Sequence, residues 1–314
     1  MEKLIVSTSP HLNTGVTTKS IMRDVVISLL PATVAACVLF GLKALFIVLA
    51  CTASAVLSEM LFNLITRKKF GIDEPSSVVT GLLLALNLPA STEIWQCVVG
   101  SVFAIIVVKC LFGGLGCNFA NPAITARVFM LLCFASVGGT VHTVFEKADI
   151  VAGATPLAVI GGAEGKLPTL FDMLIGNRGG AIGETCAVAL ILGFVYLVAR
   201  RIIHWETPVV FVGTVFVLSL IVKQDITAAL YQVLGGGLLI GAIFMATDYV
   251  TCPINRLGKV VFALGCGIIT VLIRFWGAYP EGVSFSILIM NILSPYIEKL
   301  CTAKPLGAGG KKNV

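Results

Sequence analysis

The fold of this chain is decided by long apolar stretches such as VVISLLPATVAACVLFG (residues 25–41) and GETCAVALILGFVYLVA (residues 183–199). Each is close to the roughly 20 residues that a helix needs to cross the hydrocarbon core of a membrane. Neither alternates between apolar and polar residues, as the shorter strands of a membrane barrel do. The stretches therefore predict membrane-spanning α-helices.

Composition extends this prediction to the whole chain. Charged residues make up 12% and hydrophobic residues 57% of the 314 residues, and the mean hydropathy is +1.01. Soluble domains carry about 25% charged residues, so this chain has too few polar groups to cover a water-facing surface. Because backbone groups in lipid must be satisfied internally, we predict an all-α integral membrane protein.

Hydropathy places about ten spans in the sequence, near residues 25–41, 44–65, 78–89, 95–112, 123–137, 183–199, 207–222, 228–246, 260–277 and 283–299. With the N-terminus inside, the inner segments and span ends collect 16 of the 22 Lys and Arg residues. This is the positive-inside asymmetry of membrane proteins. Both termini are therefore expected in the cytoplasm, and the long segment 138–182 is expected outside.

The outer segment divides the chain into two halves of five spans. The predicted regions are a cytoplasmic N-terminal segment (1–20), a first half (21–137), the outer segment (138–182), a second half (183–300) and a cytoplasmic tail (301–314). Because five is an odd number, a duplicated unit would be inserted upside down the second time. The expected fold is thus two inverted five-helix halves.

Two spans are short or interrupted in comparable parts of the two halves. TGLLLALNLP (80–89) reaches a proline too early to cross as a helix, and GGGLLIGAIFMATD (235–248) begins with three glycines and ends on an acid. Paired broken helices in inverted halves mark binding sites near the membrane midplane. Glycine-mediated helix packing is the simpler explanation of the same pattern, and both stay open here.

Other sequence features exclude several function classes. The ten cysteines include no C-x-x-C pair, and several lie in apolar runs, where cysteine acts as a small hydrophobe. No phosphate-binding glycine loop follows a strand, which excludes a nucleotide-binding domain of the usual kinds. The net charge of +6 follows from topology, so no nucleic acid partner is expected. We also expect no catalytic residue and no metal site in this chain.

The outer segment contains VAGATPLA (151–158). A residue that precedes proline is disfavoured in helices, so Thr155 is expected in an extended, accessible backbone. Taken alone, this pattern describes an ordinary loop.

Four further motifs accompany it: SVVTGLLLALNLP (77–89), GGLGCNFANPA (113–123), GET (183–185) and FMATDYVTCP (244–253). In this order, and with GATPL at 153–157, they resemble the family of the D subunit of the Rnf electron-transport complex. That family is related to the B subunit of the sodium-pumping NADH:quinone reductase. The resemblance covers essentially residues 5–300.

The resemblance implies a covalent cofactor. In this family a threonine of a Ser-Gly-Ala-Thr-type motif carries FMN through a phosphoester bond, attached outside the cytoplasm by a separate flavin transferase. The matching residue is Thr155, preceded by Gly153 and Ala154, whereas Ala152 stands where a Ser or Asp is more usual. The charge-derived topology also places Thr155 outside, as that attachment requires.

The resemblance further implies a second, non-covalent flavin, riboflavin, among the helices. We expect polar residues near the broken spans to surround it, namely Asn87, Asn118, Asn121, Thr247 and Asp248. Glu184, just after the flavin loop, could contact a flavin, order the loop, or simply stabilise the first turn of its own helix. Asp248 could meet a cation where a broken helix ends. Arg127 is expected to extend to the inner membrane surface.

The function implied by the resemblance is electron transfer from ferredoxin to NAD⁺, coupled to translocation of Na⁺ or H⁺. The expected location is the bacterial cytoplasmic membrane. The expected partners are membrane lipid, the flavin transferase, and the other membrane, flavin-bearing and iron–sulfur or NAD-binding subunits. Two alternatives remain open from the sequence: a channel or transporter for a small solute, since such proteins also use paired broken helices, and a flavin-free scaffold for redox subunits.

Overall fold

A computed structural model describes residues 16–67, 75–134, 137, 156–160, 167–277 and 282–301. Within these ranges the chain forms helices and no β-sheet, apart from one isolated bridge between Pro89 and Ala181. The helices are α1 (Thr18–Phe40), α2 (Leu42–Ile65), α3 (Ser76–Leu86), α4 (Ile94–Cys110), α5 (Pro122–Cys133), α6 (Pro156–Ile160), α7 (Leu170–Ile175), α8 (Ala187–Ala199), α9 (Glu206–Lys223), α10 (Ile226–Leu234), α11 (Leu238–Met245), α12 (Arg256–Trp276) and α13 (Val283–Cys301). The predicted all-α class is confirmed.

Five of the described helices are long and apolar enough to cross a membrane: α1, α2, α9, α12 and α13. Helices α10 and α11 make a sixth crossing if they count as one span, which bends by 60° at its break. Helices α3, α4, α5 and α8 are apolar but shorter. Each of the ten predicted spans coincides with an apolar helix or with the bent pair. That all ten cross the membrane stays a prediction.

The two interrupted spans take the forms that the sequence suggests. Helix α3 has only 11 residues, about 16 Å at 1.5 Å per residue, and ends before Pro89. The second span breaks at the glycines: α10 ends at Leu234, and Gly236 and Gly237 have φ angles of +64° and +67°. This left-handed backbone strongly favours glycine, so the break follows directly from the GGG sequence.

Large apolar side chains cover the outside of the helices. Val38, Leu42 and Ile65 are between 66% and 79% exposed, as expected where lipid replaces water as the solvent. At some contacts between helices a glycine allows close approach. A Cβ on Gly81 of α3 would lie 2.7 Å from the backbone oxygen of Cys51 and 2.8 Å from Thr52 Cα, so α2 and α3 approach to backbone contact.

The order of helix packing is similar in the two parts of the chain. In the first, α2 packs chiefly against α3 and α4, and in the second, α9 packs chiefly against the bent pair and α12. Helix α1 packs against α8, which joins the two parts. This repeated order agrees with a duplicated unit. The inverted orientation and the boundaries of the five predicted regions stay predictions.

The segment just before α8 closes the end of α3. Ile182 donates its N–H to the Leu88 oxygen (2.9 Å), and Gly183 donates its N–H to the Leu86 oxygen (2.7 Å). The end of a helix leaves carbonyl groups without partners inside that helix, and here another segment supplies them. The short helix of the first half is thus held next to the loop that leads into α8.

We expect Gly81→Ala to destabilise the protein by about 1–3 kcal/mol, because overpacking at a tight helix contact forces backbone shifts. The matched control is Gly213→Ala in α9, where a Cβ would meet no atom within 4 Å. That change should stabilise slightly, since alanine favours helix. Thermal unfolding in detergent, followed by circular dichroism, measures both. Equal effects of the two substitutions would contradict the close α2–α3 contact.

Candidate functional site

A cavity of about 110 Å³, here called the central cavity, lies among α1, α3, α11 and the loop before α5. Its walls are mostly apolar and include Val79, Leu83 and Phe244. Four of the predicted site residues also line it: Asn118, Asn121, Thr247 and Asp248. An apolar cavity with a few polar groups is the usual form of a site for a small molecule.

The two asparagines of this cavity also hold backbone in place. Asn121 is the N-cap of α5: its Oδ1 accepts the N–H groups of Ala123 (3.0 Å) and Ile124 (3.3 Å). Its Nδ2 donates to the Met245 oxygen at the end of α11 (3.4 Å). Asn118 donates to the Ala120 oxygen (3.0 Å). These residues therefore fix the loop that forms one wall of the cavity.

Thr247 and Asp248 form the turn that follows α11. The Thr247 hydroxyl donates to the Ile243 oxygen (2.6 Å), while the Asp248 carboxylate accepts from the Val250 N–H (3.4 Å) and the Thr251 hydroxyl (3.3 Å). A second cavity, of about 190 Å³, shares Thr247 and Asp248 with the central cavity and adds His204 and Lys259. Asp248 thus lies between an apolar cavity and a more polar one.

The remaining described candidates, Asn87 and Glu184, do not line the central cavity. They border a smaller cavity of about 10 Å³ together with Arg127 and Gly237. Asn87 caps the end of α3 and donates to the Leu83 oxygen (2.7 Å). The six described candidates therefore form two groups rather than one site.

Glu184 does not occupy the position that a simple helix-end role requires. Helix α8 begins at Ala187 with Cys186 as its N-cap, so Glu184 precedes the first turn. Its carboxylate instead lies beside Gly237, where a Cβ would be 3.1 Å from Glu184 Oε2. Gly237 is the N-cap of α11. A carboxylate at that place is stabilised by the positive end of the α11 dipole.

Two arginines satisfy carbonyl groups at the break between α10 and α11. Arg178 donates to the oxygens of Leu234 and Glu184, both at 2.7 Å. Arg274 donates to the backbone oxygens of Gln232 (2.5 Å), Gly235 (3.1 Å) and Gly236 (3.2 Å). The charge pattern of the sequence assigns both arginines to the outer side of the membrane and predicts nothing more about them. Their role depends on contacts with residues that are far away in the sequence.

The expectation for Arg127 was wrong. Its side chain does not extend to a membrane surface: the residue is 3% exposed and borders the smaller cavity with Asn87 and Glu184. Arg127 lies in α5, a helix that begins only at Pro122 and packs between α3, α4 and α13. A short helix enclosed by neighbours offers the side chain no route to the surface.

An ion pair between a buried lysine and a partly buried glutamate, at the central cavity, was not predicted. Lys109 Nζ lies 2.7 Å from Glu59 Oε1 and donates to Ser76 Oγ, also at 2.7 Å. Lys109 is 2% exposed, although the charge pattern assigns it to an inner span end. It belongs to the π-helical part of α4, Phe103–Cys110. The sequence signal that could have indicated this pair was a single acidic residue, Glu59, in one apolar span and a single basic residue, Lys109, in another.

The proposed flavin acceptor, Thr155, and the preceding Gly153 and Ala154 lie outside the described residues. Helix α6 begins at Pro156, directly after the acceptor. Leu157 of α6 is buried and contacts the helix break, because a Cβ on Gly235 would lie 3.2 Å from Leu157 Cγ. Helix α6 therefore packs against α10 and the glycines that follow it.

Comparison with known proteins identifies the family. The family model described as NQR2, RnfD, RnfE matches residues 5–307. The chain belongs to the NQR2, RnfD, RnfE family. This match covers nearly the whole sequence, including both groups of candidate residues and the GATPL motif.

Individual members of the NQR2, RnfD, RnfE family are similar over almost their full lengths. The D subunit of the Na(+)-translocating ferredoxin:NAD(+) oxidoreductase complex of Acetobacterium woodii is 43% identical, covering 97% of this chain and 95% of that protein. The D subunit of the proton-translocating ferredoxin:NAD(+) oxidoreductase complex of Clostridium ljungdahlii is 36% identical, covering 94% and 93%. The D subunit of the ion-translocating oxidoreductase complex of Stutzerimonas stutzeri is also 36% identical, covering 93% and 92%.

We expect Glu59→Gln to destabilise the protein by about 3 kcal/mol, because it leaves the Lys109 ammonium group buried without its carboxylate. The double change Glu59→Gln with Lys109→Met should recover most of that loss, since no unpaired charge remains. Denaturant unfolding in detergent measures both variants.

The matched control is Glu206→Gln, which breaks the pair with Arg256. The Arg256 side chain is 79% exposed, so the loss should stay below about 1 kcal/mol. A double variant as unstable as Glu59→Gln alone would contradict the role given to the Lys109–Glu59 pair.

Proposed function

We propose that this chain is the membrane electron-transfer subunit of an ion-translocating ferredoxin:NAD⁺ oxidoreductase complex, with FMN on Thr155. Family membership and the names of the relatives support the complex. The observation that carries the cofactor assignment is the placement of Leu157, which packs against the break between α10 and α11, beside Arg178 and Arg274. A cationic surrounding next to the acceptor motif suits the negative charge of a phosphoester.

The chemistry of the residues that line the central cavity supports the proposed second flavin, riboflavin. A flavin has a planar, largely apolar ring system with polar atoms along its edges. The cavity offers apolar walls from Leu83, Ile243 and Phe244 and polar groups from Asn118 and Asp248. Apolar walls would hold the ring, and the amide and carboxylate groups would orient its edge.

The flavins would supply one- and two-electron transfer, and the protein would supply position and electrostatics. Asn121 keeps the cavity wall fixed by capping α5 and by its bond to the Met245 oxygen. The Lys109–Glu59 pair provides a fixed dipole at the cavity wall. The surrounding apolar helices exclude water, which strengthens these electrostatic effects.

Ion translocation is assigned to the region around Asp248. This carboxylate lies where the bent helix pair ends and where the central cavity meets the more polar second cavity. Ionisable groups at membrane depth usually mark ion pathways. A change in the charge of a nearby flavin would alter the affinity of such a carboxylate for a cation. The named relatives include both Na⁺ and proton translocators, and the proposal covers either ion.

This function requires partners. The chain would assemble with the other membrane, flavin-bearing and iron–sulfur or NAD-binding subunits, and a flavin transferase would load Thr155. The positive-inside charges predict that both termini face the cytoplasm and that the flavin loop faces outward.

We expect the wild-type chain, expressed with a flavin transferase, to give a band that fluoresces under ultraviolet light on a denaturing gel. Thr155→Ala should abolish this fluorescence, because it removes the acceptor hydroxyl. Thr143→Ala, in the same outer segment, is the matched control and should leave it unchanged. A dark wild-type band, with the transferase shown to be active on another protein, would instead favour a channel or a flavin-free scaffold.

We expect Asp248→Asn in the assembled complex to reduce ion uptake into vesicles by at least about tenfold, since a neutral amide binds a cation far more weakly. Ferredoxin-dependent NAD⁺ reduction should continue, because the asparagine amide can still hydrogen-bond the edge of a flavin. Asp225→Asn is the matched control, because asparagine replaces aspartate well at an N-cap and Asp225 caps α10. Unchanged ion uptake per electron in Asp248→Asn would rule out the role of this carboxylate.

A further inference from the structure

Lys109 is an unusual residue for the wall of a largely apolar cavity. Lys109 and Asp248 are the two charged side chains among the described residues that line the central cavity. Lys109 is 2% exposed, and a charged group within a membrane is costly unless it serves a site or a partner. Because apolar residues often replace a buried ion pair without loss of stability, stability alone does not explain this lysine.

The ion pair of Lys109 has a direction. The ammonium group lies 2.7 Å from Glu59 Oε1 and donates to Ser76 Oγ, also at 2.7 Å. Lys109 and Ser76 both line the central cavity, whereas Glu59 does not belong to its wall. The positive end of the pair therefore faces the cavity. An ammonium group has three N–H donors, and the described residues provide acceptors for two of them.

Two helix N-termini add to the positive charge at this cavity. Ser76 is the first residue of α3, while Asn121 is the N-cap of α5 and Pro122 its first residue. All three line the cavity. The N-terminal end of a helix carries a partial positive charge, so a lysine beside Ser76 lies in an unfavourable place for its own stability. Glu59 supplies one negative charge against one full and two partial positive charges.

The backbone of α4 is adapted to bring Lys109 to this position. Residues Phe103–Cys110 form a π-helix, a rare conformation that occurs frequently at functional sites and shifts the face on which later residues lie. The π-helical segment of α11, Gly241–Met245, contributes Ile243 and Phe244 to the same cavity. Two π-helical segments of the described chain thus meet at the central cavity.

We infer that Lys109 raises the reduction potential of the flavin proposed for the central cavity. The inference rests on that proposed flavin and assigns the residue that sets its electron affinity. An electron that passes from the covalent FMN to this flavin oxidises the FMN, reduces the second flavin and adds one negative charge to the cavity. The Lys109 ammonium group stabilises the added charge, because opposite charges attract strongly where water is excluded. Glu59 lies behind the ammonium group and limits this effect.

Asp248, at the same cavity, connects this effect to ion movement. Its carboxylate repels the charge of a reduced flavin, and a cation bound there removes that repulsion. Lys109 is held by Glu59 and Ser76 and cannot be exchanged, so it supplies a constant contribution to the potential. The exchangeable cation at Asp248 supplies the variable contribution. By thermodynamic linkage, cation binding and flavin reduction then favour each other equally.

The test uses the full-length chain, expressed without a flavin transferase, purified in detergent and supplied with riboflavin, so that any bound flavin is non-covalent. A redox titration followed by flavin absorbance gives the midpoint potential. The double variant Lys109→Met with Glu59→Gln removes both charges, and Lys109→Arg retains the positive one. The matched control is Glu206→Gln with Arg256→Gln, an ion pair whose arginine side chain is 79% exposed.

The double variant of Lys109 and Glu59 should lower the equilibrium constant for one-electron reduction by about tenfold, which corresponds to a midpoint potential lower by about 59 mV. Lys109→Arg should stay within about threefold of the wild type, since arginine keeps the charge. The control should match the wild type. Glu59→Gln alone should raise the constant, because it removes the compensating negative charge.

A purely structural role of the ion pair gives a different result. Loosening of the cavity would move the potential in the same direction in Glu59→Gln and in the double variant, whereas the effect of charge has opposite signs in the two. Either variant decides the sign if the other does not fold. Unchanged potentials with riboflavin bound would overturn the role of Lys109 and leave the flavin site intact. A chain that binds no riboflavin would contradict the proposed second flavin, and this inference with it.

Discussion

A helix that breaks inside a membrane must find partners for the backbone groups that it exposes, and this constraint organises the structure. In water, solvent would bind the free carbonyl groups at Leu234, Gly235 and Gly236, whereas in lipid each unsatisfied group costs several kcal/mol. Arg178 and Arg274 supply the donors. Two arginines from other segments thus stabilise the break.

The consequences of this break extend to both ends of α11. At its start, the Glu184 carboxylate lies beside Gly237, and Leu157 of the outer segment packs on the neighbouring glycines. At its end, the Met245 oxygen accepts from Asn121, and the turn with Asp248 borders two cavities. A short helix between the proposed flavin loop and a candidate ion site is well placed to couple the two.

Much of the fold could be predicted from the sequence because lipid imposes simple rules. Hydropathy located an apolar helix in every predicted span, and GGG at 235–237 indicated the interrupted one. The division of the candidate site residues between two cavities could not be predicted in this way. Asn87 and Asn121 both occur near broken spans, yet they line different cavities, because the side on which each residue lies depends on how α3, α5 and α11 pack together.

The charged residues show the same limit most clearly. Counting Lys and Arg by segment predicts topology, but it assigns every basic residue to a surface. Lys109 and Arg127 are buried instead, Lys109 beside Glu59 from another helix and Arg127 inside a cluster of short helices. Pairings of this kind join residues about 50 positions apart in the chain, and no local pattern specifies them. The position of Glu184 beside Gly237, before the first turn of α8, likewise could not be predicted from the local sequence.

The most direct test of the central claim is mass spectrometry of a tryptic digest of the chain, expressed with an active flavin transferase. Cleavage after Lys147 and Lys166 gives a peptide of residues 148–166 in which Thr155 is the only residue with a side-chain hydroxyl. We expect this peptide to carry the added mass of FMN, which assigns the attachment to Thr155 without further mapping. Recovery of the peptide only in its unmodified form would contradict the account of this chain as a covalent flavoprotein.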